Sequence, residues 1–189
     1  MIDPRRVLIR HPATPAPMVR AVEADAVWLA GGTVAFRYRL RADMARLRIP
    51  AEGAAPGDDP LWAHTCFEAF VAPADEAGYR EFNFSPSGRW AVYDFGGYRQ
   101  RLAEPLLPAP RIAARATEGR LELEALVPAA ALPPPAPGGA WDIGLSAIVE
   151  TADAVADSHS HWALHHPSPR PDFHRREAFT LRLLAGRED

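Results

Sequence analysis

The sequence predicts an all-β chain, an antiparallel β-sandwich of jelly-roll or immunoglobulin-like type. Three observations carry this prediction. Apolar and polar residues alternate with period two in one segment after another. Turn signals built from Gly, Pro and Ser separate those segments at short intervals. Helical periodicity is scarce throughout.

Along the chain, Val27-Trp28-Leu29 leads through Gly31-Gly32 into Val34, Phe36, Tyr38 and Leu40, which alternate with Thr33, Ala35, Arg37 and Arg39. That is a hairpin signal with a half-buried return strand. Arg46-Leu47-Arg48-Ile49 alternates again and stops at Pro50, predicting a further strand. Phe67, Ala69 and Val71 face one way and Cys66, Glu68 and Phe70 the other. This strand is nearly apolar on both faces and therefore predicted to be central. Phe82 and Phe84 alternate with Glu81, Asn83 and Ser85, and Ser85-Pro86-Ser87-Gly88 makes a turn. On the return strand, Trp90, Val92 and Asp94 alternate with Ala91, Tyr93 and Phe95. Leu121, Leu123 and Ala125 alternate with Glu122 and Glu124 after a Glu118-Gly119 turn. Trp141 to Val149 is largely apolar, and Phe179, Leu181 and Leu183 alternate with Thr180 and Arg182. The count comes to about ten strands. The Pro/Gly-rich stretches 51–59 and 128–139 read as surface connections. Too little chain follows the second to make a stable separate domain, so residues 1–189 are read as one domain.

Composition sets limits on partners. A chain of 189 residues that is 48% hydrophobic can bury one sizeable core. A net charge of −3 gives no basic field for nucleic acid or anionic lipid, so neither is an expected partner. The 21 basic residues are all arginine. Arg37, Arg39, Arg41, Arg46 and Arg48 alternate, the pattern of a solvated strand face before that of an anion site. Cys66 is alone and can form no intrachain disulfide, which favours a reducing compartment. The N-terminal residues lack a signal-peptide apolar stretch, and no run approaches the ~20 apolar residues of a membrane helix. Cytoplasmic localisation is the resulting expectation.

Two blocks stand apart from the Ala, Leu, Val, Pro and Arg background. LWAHTCFEAFV with YREFNFSPSGRWAVYDFGGYR, and HSHWALHHPSPRPDFH, concentrate aromatics beside His, Asn and carboxylates. Polar groups buried among aromatics require partners, which makes these blocks the expected place for a ligand site. The same blocks resemble the bacterial DOMON-like domains, in the superfamily of carbohydrate-binding module family 9. The resemblance rests on the apolar strand around Glu68, the EFNFSPSG hairpin at 81–88, and the segment from Trp162 to His174. It implies a β-sandwich with a small-molecule site on one sheet, in a superfamily whose members bind sugars or haem.

Sugars stack their C–H faces on aromatic rings and offer hydroxyls to polar side chains. Candidate platforms are Trp62, Trp90, Tyr93, Tyr98 and Trp162; candidate hydroxyl partners are Glu68, Glu81, Asn83 and Asp172. Each aromatic taken singly is read as core, and Trp28 and Trp141 are assigned to core outright. His64, His161, His165 and His174 complete the expected ligand-binding set. Glu68 is the least ordinary of these residues. A carboxylate inside an apolar strand needs a charge or hydrogen-bond partner, which Arg80, Arg89 or a His could supply, or its pKa must rise.

His159 and His161, spaced i,i+2, share a strand face, with His165, His166 and His174 following. Imidazoles so placed can hold Zn²⁺ or Cu²⁺, but no HExxH or CxxC accompanies them, and loop packing is the preferred reading; no metal is assigned. Haem relatives use Met and His axial ligands, and here Met44 is the sole candidate well inside the chain, so no cofactor is assigned. No nucleophile elbow, P-loop or dinucleotide fingerprint is present. The expected function is therefore non-catalytic binding of a small polar ligand, carbohydrate or a sugar-containing metabolite. The alternative is an enzyme or metal-binding accessory domain that uses Glu68 and the 159–174 His cluster.

Overall fold

Period-two segments that each hide one face must pair and then stack, and here they do so as two antiparallel sheets. The structure, a computed structural model, describes residues 5–53, 60–136, 139–152 and 159–185. The smaller sheet runs β1 (Arg6–Val7), β3 (Val19–Leu29), β4 (Thr33–Ala42), β9 (Arg120–Pro128) and β8 (Arg111–Thr117). The larger runs β2 (Ile9–Arg10), β11 (His159–Ala163), β10 (Ala140–Glu150), β5 (Cys66–Pro73), β6 (Tyr79–Phe84) and β7 (Trp90–Phe95), with β12 (Leu181–Leu184) also paired to β10. Among the described residues there is no α-helix, only four short 3-10 turns. The antiparallel sandwich read from the sequence is thus the fold observed.

The β3–β4 hairpin closes through Gly31 and Gly32 at φ +80° and +68°, a backbone that a side chain would strain. Beyond it Val34, Phe36, Tyr38 and Leu40 all point inward and are fully buried. Their partners across the sandwich are Phe67, Ala69, Val71, Phe82 and Phe84 from the larger sheet. Phe36 lies over Phe82 and Phe84 with ring centroids 6.3 and 5.9 Å away. The Tyr38 hydroxyl spans the layer and donates to the Glu68 carbonyl at 2.7 Å, tying the smaller sheet to the middle of β5. On the opposite face Arg37, Arg39 and Arg41 pair with Glu124, Glu122 and Glu23 at 2.7, 3.0 and 3.2 Å. The arginine stripe is therefore a neutralised, solvated strand face, worth about 0.2–1 kcal/mol per cross-strand pair.

One predicted strand is absent. Met44–Arg46 forms a 3-10 turn, and only Leu47 makes a single bridge, to Thr151. The chain is here leaving β4 in one sheet for β5 in the other, so alternation finds no continuous neighbour to pair with. Conversely, β8 escaped the sequence reading because its Arg-Ile-Ala-Ala-Arg-Ala-Thr run is a mostly exposed edge with little contrast between faces.

Both faces of β5 are buried, and it sits between β10 and β6. Its inner face belongs to the sandwich core. Its outer face lies under a second cluster made by Phe70, Tyr79, Phe95, Phe173, Ala178 and Phe179. The last three come from the segment between β11 and β12, which folds back across the outside of the larger sheet. Gly144 on β10 makes the close approach possible, since a Cβ there would lie 2.7 Å from the Phe179 ring.

Candidate functional site

Side chains on one face of an antiparallel sheet line up in cross-strand rows. On the outer face of the larger sheet, Glu68 lies opposite Asn83 on β6 and Ser146 on β10. The next row carries Phe70 opposite Glu81, and Glu81 opposite Tyr93. The two rows form the floor of an open cleft of about 510 Å³. Its walls are Phe95, Ile148 and His161 from the sheet, Trp62 from the 3-10 turn Leu61–Ala63 before β5, Arg99 and Arg101 from the loop after β7, and Pro171 to His174 from the covering segment.

The floor is unusual in charge. Glu68 is 3% exposed and Glu81 5% exposed. Ser146 donates its hydroxyl to Glu68 Oε2 at 3.2 Å, and the Asn83 amide donates to Glu81 Oε1 at 2.7 Å. Among the described residues no arginine lies within ion-pair distance of either carboxylate. Arg80, expected as a partner for Glu68, instead reaches Asp94 at 2.5 Å and the Ala131 carbonyl at 2.6 Å, on the other side of the strand. Burial and the neighbouring Glu81 push the Glu68 pKa well above the ordinary carboxyl value, against the Ser146 hydrogen bond. Burial raises Glu81 also, opposed by Asn83, Arg99 and Arg101. Burial of two neighbouring carboxyls on one sheet face disfavours ionising both at once.

His174 forms the inner wall. Burial, with Arg99 second, lowers its pKa from 6.5 to about 4, so the ring is neutral near pH 7. The Tyr79 hydroxyl accepts the Arg99 backbone N–H at 3.2 Å and donates to His174 Nδ1 at 2.8 Å. The ring proton then sits on Nε2, which faces Glu81 Oε2 at 3.8 Å. At that separation the two are not bonded to each other, and both remain available to a third group placed between them. Asp172 holds the rim together. It accepts from the Tyr98 hydroxyl at 2.6 Å, Arg99 at 3.0 Å and Arg175 at 3.2 Å. Burial opposes its ionised form, but those hydrogen bonds keep its pKa below the ordinary value. Arg99 adopts φ +53° to make these contacts, a left-handed backbone that non-glycine residues seldom take.

The sequence-derived set divides cleanly in the structure. Trp62, Glu68, Glu81, Tyr93, His161, Asp172 and His174 line the cleft. Asn83 sits directly beneath it as the partner of Glu81. Tyr98 lies outside the lining and acts through Asp172. Trp90 is on the inner face of β7, packed with Val92 against the sandwich core, and Trp162 is buried in the same core with its indole N–H on Ser160. Trp28 and Trp141 stack in that core at 5.8 Å, as assigned. Trp62 is thus the one tryptophan among the described lining residues.

The histidines disperse. His64 precedes β5 and bonds the Glu150 carboxylate at 2.9 Å. His159 meets the Ala63 carbonyl, His166 meets the Ile9 carbonyl, and His165 is exposed. Among the described residues no three His, Cys, Asp or Glu side chains converge as a metal set. Met44 packs against the sandwich core and does not line the cleft. Phe70, Phe95, Phe173, Arg99 and Arg101 line the cleft without having been singled out. The signal for two of them was in the alternation: Phe70 shares a strand face with Glu68, and Phe95 shares one with Tyr93, while Trp90 falls on the opposite face.

No family model and no curated protein matches the sequence. A solved structure does share the fold. A protein from Bacteroides uniformis described as a "putative carbohydrate-binding protein" superposes with a TM-score of 0.58 at 17% identity, over 87% of this chain and 77% of that one. At that identity the likeness establishes the fold.

Proposed function

We propose that this chain binds a small polar ligand of the carbohydrate class in the cleft on the outer face of its larger sheet, without turning it over. One observation carries the reading: an open, aromatic-walled cleft whose floor bears two buried carboxyls with unused acceptor capacity, set on rigid central strands. Sugar hydroxyls donate to Glu68 and Glu81 and accept from His174 Nε2. The C–H face stacks on Trp62, which is 50% exposed and free of ring partners among the described residues. Tyr93 is less suited as a platform, because Arg101 already covers its ring at 4.2 Å. The likeness in fold to a protein described in carbohydrate-binding terms supports the same class.

The test is a thermal-shift and calorimetric panel of mono- and disaccharides, nucleotide sugars, divalent metals and haem. A saturable response to one sugar class is expected. Trp62→Ala should weaken it by about 3- to 10-fold, the worth of one aromatic contact, while Trp90→Ala leaves affinity unchanged. Binding that survives Trp62→Ala and Glu68→Gln together would place the ligand elsewhere. A second reading rests on the same carboxyl pair, since two carboxyls with raised pKa values in one cleft are also the equipment of glycoside hydrolysis. Release of product from aryl glycosides, lost in Glu81→Gln, would select it.

A further inference from the structure

Among the described residues the floor of the cleft carries no positive charge. Glu68 and Glu81 are both more than nine-tenths buried, and among the described residues each keeps one carboxylate oxygen without a hydrogen bond. The two arginines on the cleft wall act on the carboxyls only from beyond ion-pair distance: Arg99 is bonded to Asp172 at 3.0 Å, and Arg101 to Glu104 at 2.8 Å while it lies on Tyr93. Around the carboxyls stand the rings of Trp62, Phe70, Tyr93, Phe95 and Phe173. Ring faces carry negative potential and attract cations. Acceptors without donors, inside an aromatic wall, are the complement of an ammonium group.

Building on the binding reading above, we infer that the ligand of this cleft carries a primary amine, as in an amino sugar, and that the amine seats between Glu68 and Glu81. A divalent metal suits the site poorly, because no third ligand converges there among the described residues and such ions need six or more oxygens or a closed tetrahedral set. A quaternary ammonium suits it less well than a primary one, because the open carboxylate oxygens require N–H donors and only the primary amine offers three. The charge of the ammonium offsets the burial that raises both carboxyls and favours their ionised forms. The sugar frame remains on Trp62, with a hydroxyl in the gap between His174 Nε2 and Glu81 Oε2.

Isothermal calorimetry on the intact chain at pH 7 tests this with glucosamine, N-acetylglucosamine, glucose and ethylamine. Glucosamine should bind about tenfold tighter than glucose or N-acetylglucosamine, because charge-assisted hydrogen bonds are roughly twice as strong as neutral ones. Glu68→Gln and, separately, Glu81→Gln should each erase that preference, so that glucosamine and glucose bind the same variant equally. Equal or tighter binding of glucose or N-acetylglucosamine overturns the amine inference and leaves the carbohydrate reading standing. Binding of ethylamine with no response to any hexose sinks the carbohydrate reading and keeps the amine site. Silence from all four probes overturns the amine inference, and the wider sugar panel then decides the other.

Discussion

Acid should destabilise this protein through one ring, His174. Its imidazole is packed edge-on against Phe70, Tyr79 and Phe95, with centroids 5.2, 5.9 and 5.0 Å away. Nδ1 is occupied by the Tyr79 hydroxyl. The charged groups facing it are Arg99, Asp172 and Glu81. Arg99 repels the imidazolium and Asp172 attracts it, and burial outweighs both, lowering the pKa from 6.5 to about 4. Glu81 offers little rescue, because its own carboxyl is raised and takes up a proton as the pH falls. In the unfolded chain the ring titrates near its ordinary value, so the unfolded state gains protons first. The stabilising contribution is therefore complete above pH ~6.5 and drains away as the pH drops toward 4. For a fall from neutrality to pH 5 the linkage relation gives about 2 kcal/mol, an upper value because the ring keeps some contact with solvent. In a domain of this size that corresponds to roughly 4–8 °C in Tm. The assay is a pair of thermal-unfolding series between pH 7.5 and 5, on the wild type and on His174→Gln. The variant starts lower, since it loses ring packing, but its Tm should fall less with pH than the wild type's. All other titrating groups are common to both proteins and cancel in the comparison. Parallel pH curves, differing in slope by less than about 0.5 kcal/mol over this range, would refute the assignment of a buried neutral imidazole.

Three further outcomes follow from the same geometry. Glu68→Gln should raise Tm near pH 7 by a few degrees, because the raised Glu68 pKa makes its contribution complete only below the ordinary carboxyl range and progressively lost as the pH rises. The gain should shrink toward pH 4.5 in the same melting experiment. Gly144→Ala should destabilise by about 1–3 kcal/mol, since the new methyl would meet the Phe179 ring; denaturant melts, together with faster hydrogen exchange at 173–180, would register the displaced cover. Tyr38→Phe should cost about 1 kcal/mol by removing the 2.7 Å bond to the Glu68 carbonyl, and equal urea midpoints for the two proteins would show that this tie between the sheets carries no net stability.

How far the site could be read in advance depended on the range of the interaction involved. Glu68, Glu81, Tyr93 and His174 were identifiable because polar and aromatic residues at those places contradict an ordinary core. Trp90 and Trp162 carried the same chemical signal, yet strand parity turns them into the sandwich interior. Parity could have corrected this, as it could have added Phe70 and Phe95. Arg99 and Arg101 were beyond reach, because their role depends on a left-handed turn after β7 and on an aspartate more than seventy residues later. The histidines at 159–174 looked like one cluster in the sequence, but the Ala63 carbonyl takes His159, the Ile9 carbonyl His166 and the Tyr79 hydroxyl His174.

The pleat of each strand, legible in the order of residues, dictates two faces per segment, hence two stacked antiparallel sheets, and a central strand that is apolar on both sides. What tertiary structure decided is which outer face became a cleft. The register of β5 against β6 and β10 sets Glu68 beside Asn83 and Ser146, and the segment carrying Phe173 and His174 arrives from about a hundred residues away to wall it in. Pleating is local and written in alternation; register and cover come from contacts between distant segments, and no period within a single strand encodes them.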